Sequence, residues 1–573
     1  MTKFFCGSRS ALPIVEWAGQ KLNLRTTEDT TQKRTSTAVW LSSWREMEKL
    51  LSEEKEQERK IVLSKFPDMQ RLCNKRKTAK MFSRLKRISP EKYSFWPESY
   101  LLPDDIEKLA AAFDTTLDPV HDQHSDIGSK KKSEKAKPSE KPTFIVKPED
   151  GSQGDGIFLV QSIRDLETRL AGQPHDLYLV QRYISNPMLL ENKKFDLRIY
   201  CLITSLSPVF EVWLCKEGMV RLCTETYKKP TGKNLKNVYA HLTNYSLNKL
   251  SDNYDHSSDA FSGNKRTLSS FFLGLASSGI DVSRMQESME SLTYHTAEAM
   301  KPYIQHNCVK HFEAGSSGQC FQILGLDVMI EVKRNGNFEL RLLEINGNPS
   351  MAIDDVVMPE DLTEREQFVV PIKGKWWKNG VGERCDCRDG KQGHVHRISA
   401  IDRHIKEAVM CGALAITLSK KSRRWTKKNA LVVEQYKSGY TRLQFAGGGM
   451  RHRIANMHVA SMGYLVLNGL RMKYESLIGI SRQNTKPLNA YKMRLYMKEV
   501  LRATRHPTRL TILECDMIFT KKKQQCMVVE FDHFVDMMFD IVSKGWPAMF
   551  PSGSHSQSWS AEDLMSLLLL EIV

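Results

Sequence analysis

The 573-residue sequence has no apolar run near the roughly 20 residues that cross a bilayer, so no membrane-spanning helix is expected. Its first residues, MTKFFCGSRSALPIVEW, lack the basic-then-apolar layout of a secretory leader. Twelve cysteines are thinly scattered, a usage that fits reduced thiols rather than a disulfide framework. Together these absences predict a cytosolic protein with no membrane association. Internal repeats are missing, as are the GxxxxGK[ST] loop and a GxGxxG opening a helix. Acidic residues are in deficit: 67 Asp and Glu against 84 Lys and Arg leave a formal charge of +17, which suits an acidic polymer as partner or a merely solubilising basic surface. Aromatic residues are too sparse within the basic stretches to favour nucleic acid.

Hydrophobic residues make up 41% of the chain, enough for a sizeable core. Residues 1–115 alternate short apolar runs with basic stretches such as CNKRKTAKMFSRLKRISPEKY and read as a small α/β domain. Residues 116–142, with GSKKKSEKAKPSEKP, read as a disordered Lys/Ser/Pro-rich loop. From Phe144 to Asn346 the text is β-rich: TFIVKP, GIFLV, LYLVQRYI, FDLRIYCLI, FEVWLC, CFQILGLDVMI and FELRLLEIN, with helix near 284–306. Catalytic domains are assigned to 143–418, and 419–573 reads as a basic helical extension.

In FIVKPEDGSQGDGIF, Lys147 ends a strand and Gly151, Gly154 and Gly156 follow. Glycines let backbone N–H groups approach phosphate oxygens and the lysine neutralises them, although a ligand-free glycine-rich hairpin reads alike. In LYLVQRYISNP a strand breaks at Gln181 to Ile184, a segment able to present backbone groups to a flat base. In KKFDLRIY, Asp196, Arg198 and Tyr200 share one strand face, where a polar ligand or a mutual salt bridge would satisfy the charges.

LGLDVMI and FELRLLEIN flank Asn335-Gly336, a type I′ hairpin signal. With that pair as a two-residue turn, Asp327 lies opposite Glu344; with the turn at Gly336-Asn337, it lies opposite Asn346. Facing carboxylates repel, so a divalent cation, a shared proton or a Lys/Arg partner must intervene. The neutral amide of Asn346 favours the cation, because Mg²⁺ takes a few such oxygens together with substrate phosphates.

KPEDGSQGDGIF, VQRYISNPMLL, KFDLRIY, HLTNYSLNK, ILGLDVMI and LLEINGNPSM, in that order, resemble the tubulin tyrosine ligase-like family, and SKFPDMQRLCNKRKTAKMFSRL and FWPESYLLPDD extend the resemblance upstream. QGDGI and NPSM are most similar to its polyglutamylase subgroup. The resemblance implies an α+β, ATP-grasp fold with a small N-terminal α/β domain and a C-terminal basic helical extension. It also implies an ATP- and Mg²⁺-dependent amide ligase that joins free glutamate to glutamates on acidic tubulin tails. By matching motif, Lys147, Gln153, Gly154, Gln181, Arg182, Tyr183, Ile184, Lys194, Phe195, Asp196, Thr243 and Asn244 would hold ATP. Arg221, Tyr245, Ser246, Lys265 and Lys406 would hold the amino acid. Asp327, Glu344 and Asn346 would hold magnesium, with Arg198 and Glu344 catalytic. Assigning Lys406 requires an insertion between about 355 and 399, and Asp155 stands where many members carry a basic residue. The implied setting is a monomer on microtubules, at the cytoskeleton, cilium or basal body, without nucleic acid or membrane.

Two features lie outside that set. CDCRDGKQGHVH gathers Cys385, Cys387, His394 and His396, whose types suit zinc but whose spacing departs from the usual fingers, so an exposed insertion is the competing reading. SKKSRRWTKK and the basic helical text beyond it read either as a microtubule dock or as solvated helix faces.

Overall fold

The structure, a computed structural model, describes residues 2–8, 10–52, 61–114, 141–149, 154–172, 178–206, 209–257, 259–309, 320–357, 395–443, 488–503, 511–525, 534 and 537. Residues 116–140, Gln153, Cys385, Cys387 and His394 lie outside them, so the expected disordered loop and three of the four zinc candidates have no structural counterpart here. The chain divides into one unit of residues 1–297 and 315–444 and another of 298–314 and 445–573.

Three sheets organise the first unit. Lys3–Cys6 (β1), Arg25–Thr27 (β2), Ala38–Trp40 (β3) and Val62–Leu63 (β4) form a parallel sheet in the order β2-β1-β3-β4. Parallel strands need crossovers, and the helix Leu12–Lys21 supplies the first, starting with proline in its first turn, where the missing N–H costs nothing. Ser99–Leu101 (β5), Phe144–Pro148 (β6), Phe158–Val160 (β7) and Tyr178–Arg182 (β8) form an antiparallel sheet in the order β5-β8-β6-β7. Its core gathers Tyr100, Leu102, Phe144, Val146, Val160 and Val180.

The largest sheet has eight strands. Leu189–Leu190 (β9), Lys193–Ser205 (β10), Glu211–Cys215 (β11), Met219–Thr226 (β12), Lys265–Thr267 (β13), Gln322–Val332 (β14) and Phe338–Asn346 (β15) are joined by Tyr440–Leu443, called β18 because the ribbon Asp354–Val357 (β16) and Val395–Ile398 (β17) precedes it. The strands expected at FDLRIYCLI, FEVWLC, CFQILGLDVMI and FELRLLEIN are all present. Strand β10 lies at the middle, paired with β11, β12 and β14, and both its faces are buried. Phe195 packs on Phe271 on one face. On the other face Tyr200 and Leu202 enter a core shared with the helices Leu12–Lys21 and Ala400–Ser419 and with Phe4 and Trp40 of the parallel sheet. Asp196 and Arg198, on that same face, lie beyond this apolar plug.

Past residue 419 the sequence reads as helical, but β18 is a strand that caps the edge of the large sheet against β11. Within SKKSRRWTKK, Trp425 is buried and its indole Nε1 donates to the Leu22 carbonyl at 3.1 Å, so this basic stretch is anchored through an apolar ring. In the second unit, the helices Ala490–Ala503 and Ile512–Gln525 are bridged by Arg494 and Asp516 at 3.4 Å. Among the described residues no helix is long and apolar enough to cross a membrane. The described cysteines are free thiols, all buried except Cys73.

Candidate active site

Cross-strand pairing places six charged positions on one face of the large sheet. Arg198 lies opposite Asp327, Asp327 opposite Glu344, Asp196 opposite Arg221, and Arg221 opposite Lys265. Paired residues point to the same side of a sheet, so the period-two reading of KKFDLRIY extends across five strands. Both Arg198 Nε and Nη2 donate to Asp327, the second at 2.9 Å. Arg221 forks onto Asp196 at 2.8 and 2.5 Å and reaches Asp327 Oδ2 at 3.0 Å. Thr243 Oγ1 adds a 2.8 Å bond to Asp196. Burial would raise the Asp327 pKa, but Arg198 and then Arg221 hold it at about 2. The charge of Asp327 is thus met by two guanidiniums, and the facing acids do not by themselves demand a cation.

Strand register brings Asp327 opposite Glu344, as the Asn335-Gly336 reading predicts, but by a different route. The turn has three residues, Arg334 to Gly336: Gly336 N donates to the Lys333 carbonyl at 3.0 Å and Gly336 takes φ +79°. That turn pairs Val332 with Phe338 and Val328 with Leu342, one step off the expected count. A bulge at Leu343 then absorbs one residue and restores Asp327 to Glu344 and Gly325 to Asn346. The carbonyl of Leu343 accepts from Lys147 Nζ at 3.3 Å, which ties the bulge to the antiparallel sheet.

Two lysines face this region without a carboxylate. Lys147, on β6, donates to Gln181 Oε1 at 2.8 Å and to Leu343, and among the described residues it has no ion pair. Lys194, on β10, lies 3.8 Å over the ring of Tyr183 and 5.8 Å from that of Tyr227, also without an ion pair among the described residues. Burial pushes Lys147 down to about 8 and Lys194 down to about 7. Gln181 is fixed by Ser99 at 3.1 Å, and the Tyr183 hydroxyl is held by His241 Nδ1 at 2.9 Å. Burial lowers His241 to about 4, so its ring is neutral.

Gly154 has φ +91°, and a Cβ there would lie 3.4 Å from the side chain of Asn244, so the glycine loop closes onto the HLTNYS segment. Tyr183, Ile184 and Phe195 are buried beside these groups in sequence. Arg182 departs from the set, because its side chain pairs with Glu98 at 3.0 Å and lies over Phe144.

A second network gathers the remaining amino-acid candidates. Lys265 Nζ bonds Asp402 at 2.9 Å and Asp355 at 3.2 Å and lies 3.6 Å over the Tyr245 ring. The Tyr245 hydroxyl donates to Asp355 at 2.5 Å, and His256 Nδ1 is 3.1 Å from the other oxygen. Lys406 bonds Asp402 at 2.7 Å and the Ala352 carbonyl. Burial would lower Lys265, yet Asp402 and Asp355 keep it well above its ordinary value, and Lys265 in turn holds Asp355 below the usual carboxylate range. Ser246 sits in the short helix Tyr245–Asn248. Lys406 and Lys265 meet through Asp402, and the β16–β17 ribbon lies just ahead of the helix that carries Lys406. His396, one of the zinc candidates, bonds Asp354 at 2.8 Å.

Asp355, Asp402 and His256 were not among the sequence candidates. Asp402 had a signal, since it precedes Lys406 by one helical turn in IDRHIKEAV. Asp355 and His256 had none, because they are about a hundred residues apart and meet only in the folded chain.

The donors fit a hard divalent cation. Among the described residues Glu344 has no hydrogen-bond or ion-pair partner, and Asn346 makes only a long 3.5 Å contact through Nδ2 to Asp327, leaving its oxygen for a metal. No three His, Cys, Asp or Glu side chains converge among the described residues, so any cation here relies on the amide and on oxygens from outside the chain. The lysines without counter-ions fit a polyanion such as a nucleotide phosphate chain.

A mixed α/β chain thus presents, among its described residues, buried lysines without ion pairs and an acid-amide pair at a strand end. Consistent with that, the tubulin-tyrosine ligase family profile matches residues 52–360, more than half of the chain, which therefore belongs to that family. Its relatives include tubulin polyglutamylase TTLL11 of Homo sapiens, 38% identical over 294 residues, which are 51% of this chain and 38% of the relative. Tubulin polyglutamylase ttll-11 of Caenorhabditis elegans is 36% identical over 302 residues, 52% and 38% of the two chains. Tubulin polyglutamylase ttll6 of Danio rerio is 33% identical over 316 residues, 55% and 36% of the two chains. The match thus spans little more than a third of each relative's length.

Proposed function

We propose that the chain is an ATP- and magnesium-dependent ligase of ATP-grasp type that adds glutamate to glutamates, or to chains growing from them, on acidic tubulin tails. The observation that carries this reading is the pair of buried lysines, Lys147 and Lys194, without ion pairs among the described residues, with Lys147 lining one pocket together with Glu344. Lys147 and Lys194 bind phosphates, with Gln153 and Gly154 of the glycine loop. Gln181 to Ile184 hold adenine, Arg182 through its backbone. Phe195, Asp196, Thr243 and Asn244 shape the remaining wall. Asp327, Glu344 and Asn346 hold Mg²⁺, which when bound neutralises phosphate charge. Arg198 fixes Asp327 in place.

The acceptor carboxylate takes the γ-phosphoryl group, releasing ADP. The amine of the incoming glutamate then attacks the acyl carbon, phosphate leaves, and the amine loses a proton. No protein nucleophile is needed, because positioning and charge neutralisation carry the rate. Arg221, Tyr245, Ser246, Lys265 and Lys406 hold the amino acid, exchanging bonds with Asp196, Asp355 and Asp402 as its carboxylates arrive. The same reading divides the chain into an N-terminal domain at 1–115, a loop at 116–142, catalytic domains at 143–418 and a basic extension at 419–573 that docks on microtubules. It places a monomer at the cytoskeleton.

One observation favours a second amino acid. Arg221 and Lys265 are fully met by Asp196, Asp327, Asp355 and Asp402, and glycine, with one carboxylate, displaces fewer of these bonds than glutamate. The test is incubation of the protein with tubulin, Mg-ATP and labelled glutamate, glycine or tyrosine in separate reactions. Glutamate incorporation is expected. Glycine alone would replace the amino acid, and incorporation of none would leave a silent microtubule-binding protein.

A further inference from the structure

Lys65 is a third buried lysine in the first unit without an ion pair among the described residues: it is 7% exposed, and its ammonium donates to Asn348 Oδ1 at 2.5 Å. A buried ammonium has three donors, and one amide oxygen leaves two unmet, a costly state that an anion relieves. Its position is rigid. Phe66 N donates to Gln322 Oε1 at 3.2 Å, Gln322 Nε2 donates to the Gly347 carbonyl at 2.6 Å, and Phe321 N donates to the Leu63 carbonyl at 2.9 Å. The segment after β4 is therefore stitched to the end of β15, two residues beyond Asn346. Asn348 itself is exposed, so the partner of Lys65 lies at the surface and can be displaced.

We propose that Lys65 binds a carboxylate of the acceptor chain, presenting it to the cation site from the side of the parallel sheet. This rests on the ligase reading. Lys147 and Lys194 approach from the antiparallel sheet and from β10, where they serve the phosphates. Lys65 follows β4, and its partner Asn348 lies two residues beyond Asn346, so a carboxylate held by Lys65 would enter at that end of the site. Phosphate is the other anion that could reach it, and the test separates the two.

Full-chain wild type, Lys65→Met, Lys65→Arg and Lys108→Met, the last removing an exposed charge far along the chain, are compared for binding of a fluorescent oligoglutamate peptide and for turnover. Lys65→Met should weaken peptide binding and raise the acceptor KM about tenfold or more, the scale of one charge-assisted hydrogen bond to a buried group, with the ATP and glutamate KM values unchanged. Lys65→Arg should recover most of the loss, and Lys108→Met should change nothing. Unaltered peptide affinity in Lys65→Met overturns the proposal, as does a rise in the ATP KM without one in the acceptor KM, which would place a phosphate there. A loss of affinity that Lys65→Arg does not recover, with a lowered melting temperature in both variants, reduces Lys65 to a support for the Asn348 turn and also overturns it. If wild type shows no turnover, the ligase reading fails by itself, and peptide binding still decides: loss in Lys65→Met upholds the carboxylate site, and no binding by wild type removes it.

Discussion

Buried lysines in the first unit fall into two groups that differ in what neutralises them. Lys265 and Lys406 share Asp355 and Asp402, whereas Lys147 and Lys194 have an amide, a carbonyl and aromatic rings. Taking a charge out of water costs several kcal/mol unless a counter-charge offsets it. The first group is therefore stable with nothing bound, and an arriving carboxylate must exchange with its acids. The second carries a burial cost that a polyanion would offset. The pKa shifts carry the same division: burial lowers Lys147 and Lys194, while carboxylates hold Lys265 up.

The comparison breaks most visibly if the two groups respond alike to loss of charge. Lys265→Met leaves Asp355 and Asp402 short of their shared cation and should cost about 3–5 kcal/mol in chemical denaturation. Lys194→Met removes an uncompensated charge and should stabilise the ligand-free protein by about 1–3 kcal/mol at neutral pH, while weakening ATP in calorimetry. The opposite signs are the point of the pair.

A pH titration sharpens the contrast. Lys194 sits near 7 when folded and near 10.4 when unfolded, so between those values the unfolded chain binds more protons and stability rises with pH. Lys194→Met should flatten that slope in denaturation midpoints taken from pH 7 to 10. Because bound phosphates require the charged amine, nucleotide affinity should fall as pH rises above about 7. His241 titrates in the same sense lower down: folded near 4 and unfolded near 6.5, it costs stability as pH falls through that window, and His241→Gln should lessen the loss. The smallest effect concerns register: Gly336→Ala, forced to φ +79°, should cost about 1–2 kcal/mol without altering the Asp327–Glu344 pairing.

Alternation along a single strand made the Asp196, Arg198 and Asp327 cluster legible. Asp196, Arg198 and Tyr200 had to share a face, and Asp327 had to meet Glu344 or Asn346 across a hairpin. The outcome was right although the turn was not, since the bulge at Leu343 cancels the extra turn residue, and a bulge has no signature in alternation when its neighbours, Leu342 and Ile345, are both apolar. The roles of Arg198 and Arg221 as partners of Asp327 were open in the sequence, because a strand pattern fixes faces and not which cross-strand neighbour a long side chain selects. Asp355 and Asp402 were hidden for a different reason: they lie 47 positions apart in sequence and meet at Lys265 where β16 pairs with β17. Strand β18 was missed because YTRL is too short and too polar at its middle to outweigh the helical text around it.

The most direct test of the whole account is Glu344→Gln, which keeps the shape of the one carboxylate near Asp327 without a partner among the described residues. Incorporation of labelled glutamate into tubulin with Mg-ATP should fall to background, while the melting temperature and microtubule co-sedimentation stay at wild-type values. Retained incorporation would contradict the cation site and the ligase mechanism built on it.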